Sequence, residues 1–142
     1  MSIETEPTQL ETARWLLAHE GAIGGANAAA AAAARVYDKL HAHLALLLGS
    51  AGVRALLVRS ARLTSPRFPF LDGASVESSV KLCECLQAQD AAIASEAAAT
   101  LFDTFLALLF RFIGERLTIQ ALRRAWPTIG TLASTSAETK KT

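Results

Sequence analysis

Residues 91–113 constrain the chain most, because they place apolar side chains on nearly every side of a helix. Ile93, Ala97, Leu101, Phe105, Leu108 and Phe112 make one stripe at three-to-four spacing, and Phe102, Leu106, Leu109, Phe110 and Ile113 make a second. Glu96, Thr100, Asp103 and Arg111 leave only a narrow polar edge. Asp90 is placed to cap this helix and Gly114 to stop it. A helix of this kind lies at the centre of its fold or is shared between subunits. The expectation is therefore a helical bundle built around this segment. Phe102, Leu106, Leu109, Phe110 and Ile113 are expected to face a second copy in a homodimer.

The remainder of the chain supports an all-α fold. Of 142 residues, 29 are Ala and 21 are Leu, both strong helix formers. The β-branched and aromatic residues that suit strands are sparse and do not alternate over a useful length. A chain of this size buries roughly two-thirds of its extended surface, enough for a core without metal or disulfide support. We expect one compact domain over residues 1–130, about six helices, and a mobile Ser/Thr/Lys-rich tail over residues 131–142.

Breakers divide the helical pieces. The first helix should begin near Pro7 or Thr8, bury Leu10, Ala13, Trp15, Leu16 and Leu17, and stop at Gly21. Asn27 is placed to cap a second, which carries seven consecutive alanines, residues 28–34, and ends at Gly49. Side chains that small let a neighbouring backbone approach closely. A third helix should open at Ser50 or Gly52 and bury Val53, Leu56, Leu57, Ala61 and Leu63, leaving Arg54, Arg59 and Arg62 outside. Pro66 and Pro69 disfavour helix through residues 65–73. Ser75 should cap the fourth helix, and Thr118 a last short one that ends at Trp126 and Pro127.

Charge comes in blocks that the net value of +1 conceals: residues 1–34 sum to −3, 35–71 to +5, 72–115 to −5 and 116–142 to +4. The middle block is not interleaved with exposed aromatics, so a nucleic-acid site is disfavoured. Residues 112–125 have the outline of a helix-turn-helix, but its first helix lacks a solvent-tolerant face, which points to packing. Glu4 and Glu6 stand where a secretory signal carries basic residues, so a cytoplasmic location is expected. The most apolar window, residues 101–113, is shorter than the roughly 20 residues of a spanning helix, so no membrane span is expected.

No pattern for catalysis, cofactor or metal stands out. Cys83 and Cys85 diverge on a helix and read as reduced thiols. His41 and His43 likewise diverge, and Ser50, between Gly49 and Gly52, has no preceding strand to form a nucleophile elbow. The expected function is a non-enzymatic regulatory or adaptor role through protein contact, of the kind found in bacterial signalling. Its candidate surface is Arg54, Arg59, Arg62 and Arg67 with Phe68 and Phe70, since aromatics and Arg dominate interface energetics. The alternative is a sensor or carrier that encloses an apolar small molecule among Trp15, Phe102, Phe105, Phe110 and Trp126.

Overall fold

Asp90 accepts a hydrogen bond from the Ala92 amide at 3.3 Å and starts α4, Ala91–Ile113, an unbroken helix of 23 residues. Gly114 ends it with φ 92°, a left-handed backbone that a side chain disfavours. In this computed structural model, which describes residues 9–21 and 26–128, the other helices are α1, Gln9–His19; α2, Ala26–Thr64; α3, Ser79–Gln87; and α5, Glu115–Ala125. A single 3₁₀ turn, Ala74–Val76, precedes α3, and the described residues contain no strand. The chain is all-α, as composition and periodicity predict.

α4 packs against all four other α-helices, which accounts for its apolar character on several sides. Ala94, Ala97, Ala98, Leu101, Phe102, Phe105, Leu106 and Leu109 are buried along it. Ile93 and Phe112, at its two ends, emerge into solvent at 44% and 68% exposure, so the first stripe is buried only in its middle.

Among the described residues there are five α-helices when α2 is taken as one, although Gly49 breaks its backbone into two arms. Gly49, at φ 79° and ψ 156°, is non-helical and ends the first arm where the sequence places a breaker, and the second arm follows without an intervening loop. Ser50 Oγ lies 3.0 Å from His41 Nε2 across this bend. Nine positions along a straight helix span about 13 Å, so the second arm, residues 50–64, turns back beside the first. Leu40 and Leu44 from the first arm, and Val53, Leu57 and Ala61 from the second, then share one core. Leu63, expected inside, is 53% exposed.

Three caps differ from expectation. Asn27 lies within α2, which starts one residue earlier. Ser75 is drawn to Asp72 instead of capping α3: its amide donates to Asp72 Oδ1 and its hydroxyl accepts from the Asp72 amide, both at 2.9 Å. Ser78 caps α3 in its place, accepting from the Lys81 amide at 3.1 Å. α5 begins directly after Gly114, so Thr118 sits inside it, buried, with its hydroxyl donating to the Gly114 carbonyl at 2.9 Å. The expectations about Pro7, Thr8 and residues 131–142 lie outside the described residues.

Ala29, Ala30, Ala32 and Ala33 of the alanine run are buried, while Ala28, Ala31 and Ala34 are partly exposed. α1 and α4 approach one side of the run and α3 the other: Ala29 shares a groove with Ala98, and Ala31 and Ala34 share one with Cys83.

Candidate functional site

Val53, Leu57, Ala61 and Thr64 bury one face of the second arm of α2, and helical spacing leaves Arg54, Arg59 and Arg62 exposed on the rest. Arg67 follows in the proline loop, its guanidinium 5.2 Å from the Phe68 ring centre. Among the described residues, no carboxylate forms an ion pair with any of these four arginines. Leu63 lies one turn beyond Arg59, so the surface combines exposed guanidinium groups with one exposed apolar side chain. The polar groups beneath are satisfied internally: Ser60 Oγ donates to the Leu56 carbonyl at 2.7 Å, and Thr64 Oγ1 to those of Ser60 and Ala61.

The two loop aromatics face inward. Phe68 is 8% exposed and belongs to the core, and Phe70 packs partly buried against it, edge to face, with ring centres 5.9 Å apart. The candidate surface is therefore the arginines, with Phe68 as a foundation that positions Arg67.

Phe102, Leu106 and Leu109, expected at a dimer interface, are fully covered within one chain. Phe110 and Ile113 remain partly exposed. The apolar surplus of α4 is thus largely absorbed by α1, α2, α3 and α5. Of the residues proposed to enclose a small molecule, Phe102, Phe105 and Trp126 are packed in the core. Trp15 stacks on His19 with ring centres 4.9 Å apart, and Phe110 is half-buried. Grooves among the described residues include one of about 140 Å³ between α1, α2 and α4 and one of about 300 Å³ between α2 and α3. None of those five aromatics lines either groove.

Local spacing does not reveal the strongest polar cluster. Glu20, whose side chain is 8% exposed, accepts from Trp126 Nε1 at 2.7 Å and from Lys39 Nζ. Arg35 donates to the Glu20 backbone carbonyl, and Lys39 Nζ lies 5.5 Å from the Trp126 ring centre. Burial pushes the Glu20 carboxyl up, but the hydrogen bonds from Lys39 and Trp126, with the charges of Lys39 and His19, prevail and hold it below the usual carboxylate range. The cluster fastens α1, α2 and the end of α5 together. Its members are up to 106 positions apart, so no sequence motif announces it.

Two further polar contacts involve side chains of nucleophile type, Ser50 and Cys85. Ser50 and His41 are in hydrogen-bond reach, but among the described residues no carboxylate orients the imidazole, as a nucleophile–base pair requires. The Cys85 thiol donates to the Phe70 carbonyl at 3.2 Å, and burial pushes its pKa up, away from thiolate reactivity. Among the described residues, no group of three or more His, Cys, Asp or Glu is arranged to hold a metal. By length and composition, α2 and α4 are each apolar enough to cross a membrane, with α4 half buried inside the fold. The alanines preceding Leu101 extend the apolar stretch beyond the 13-residue window.

Comparison with protein-family models, curated proteins and solved structures finds no match.

Proposed function

We propose that this chain is a non-enzymatic regulatory or adaptor module that works by protein contact, through the outer face of the second arm of α2. The observation that carries this reading is the set of exposed guanidinium groups of Arg54, Arg59, Arg62 and Arg67, none paired with a carboxylate of the described residues. Their chemistry fits an acidic protein surface. Guanidinium groups bind carboxylates bidentately and are less strongly hydrated than ammonium. Leu63 beside them supplies an apolar contact of the kind found at interface cores. A carrier role is less well supported, because Phe102, Phe105 and Trp126 serve as core.

The test is capture of partners from the source cell by the wild-type chain and by an Arg59→Glu/Arg62→Glu variant, quantified side by side. Both substitutions are exposed, so the melting temperature should stay unchanged while a specific partner is lost. Identical capture by both proteins would refute the assignment.

A further inference from the structure

Four of the exposed large apolar side chains cluster at the two glycine bends. Leu46 and Leu47 precede Gly49 at 76% and 45% exposure, while Phe112 and Leu117 flank Gly114 at 68% and 42%. The two bends lie at the same end of the bundle. Ala29 of α2 and Ala98 of α4 line a common groove, which sets the early parts of these helices side by side. α5 is 11 residues, about 16 Å long, and it returns from Gly114 to place Trp126 against Lys39. If α4 ran opposite to the first arm of α2, Ile113 and Lys39 would lie more than about 35 Å apart along the bundle, roughly twice the length of α5. α4 therefore runs parallel to that arm, and Gly49 and Gly114 both fall at its far end.

Arg111 and Arg116 are exposed beside Phe112 and Leu117, and Arg123 and Arg124 continue the positive charge along the outer face of α5. None of these four pairs with a carboxylate of the described residues. We propose that this end of the bundle docks on an anionic phospholipid surface. Leu46, Leu47, Phe112 and Leu117 enter the headgroup boundary, and the arginines bind lipid phosphate. Apolar side chains flanked by basic residues are the composition of interfacial membrane contacts, and each basic residue near an anionic leaflet adds affinity. A second copy is a poor occupant, since a two-fold contact through this end would bring two like-charged arginine clusters together.

The experiment is flotation of the full chain with vesicles of phosphatidylcholine alone, or of phosphatidylcholine and phosphatidylglycerol in equal parts. The chain should float with the anionic vesicles only, and release as salt rises. Arg111→Glu/Arg116→Glu and Leu46→Ser/Phe112→Ser should each lower partitioning about tenfold or more, with circular dichroism and melting unchanged. Arg59→Glu/Arg62→Glu should still float, which separates this surface from the protein-contact face. No flotation with anionic vesicles overturns the proposal, as does flotation that the tip variants leave intact. A concentration-dependent dimer in sedimentation velocity, abolished by Leu46→Ser/Phe112→Ser, would assign the surface to a second copy.

Discussion

Glu20 and Asp103 are two carboxylates with opposite effects on stability. Glu20 is held below the ordinary carboxylate range against the pull of burial, whereas burial alone raises Asp103. A depressed folded-state pKa means that the Glu20 contribution is present above the unfolded value and is lost as pH falls through the folded one. The raised Asp103 works the other way: the folded state keeps its proton longer, so stability declines as pH rises through the acid range. Glu20→Gln should therefore cost about 1–3 kcal/mol at neutral pH and flatten the acid limb of a melting-temperature curve. Asp103→Asn should raise neutral-pH stability, and a fall would contradict its placement. The core residues of α4 carry a second prediction. Leu109→Glu should unfold the chain, because it buries an unpaired carboxylate where Leu109 is 0% exposed. A folded variant that merely changed oligomeric state would show that the side chain faces a subunit boundary. None of the Glu20 cluster is legible in sequence, because Arg35 and Lys39 meet Glu20 only once α1 lies against α2, and Trp126 joins only after α5 has folded back.

At the scale of elements, legibility follows how local the deciding chemistry is. Both ends of α4 are readable because Asp90 and Gly114 act on adjacent backbone. The start of α3 is not, because Ser75 and Ser78 both have capping chemistry and Asp72 takes the first through a reciprocal pair. Thr118 has capping chemistry too, yet Gly114 alone turns the chain abruptly enough to start α5 four residues earlier. Gly49 reads correctly as a breaker, but whether it ends a helix or folds one back depends on the apolar faces that the bend brings together. Gly49→Ala isolates that bend. An added Cβ meets nothing within 4 Å, so its cost is conformational only. The positive φ with extended ψ, a region essentially confined to glycine, should make that about 1–3 kcal/mol, seen as a lower melting temperature with the helical spectrum retained. An unchanged melting temperature would mean that the bend is not fixed in solution.

On the scale of the whole molecule, the helical class, the central position of α4 and the outward arginines follow from periodicity. The dimer face follows less well. Counting apolar stripes on α4 without its neighbours overstates the surface left over, since α1, α2, α3 and α5 all pack against it. The account rests on α4 being a core completed by one chain, with activity on the charged and apolar exterior. Amide hydrogen exchange measured across a hundredfold range of protein concentration tests this most directly. The amides of residues 101–109 should rank among the slowest to exchange, at rates independent of concentration. Protection of those amides that collapses on dilution would show that a second copy completes the core.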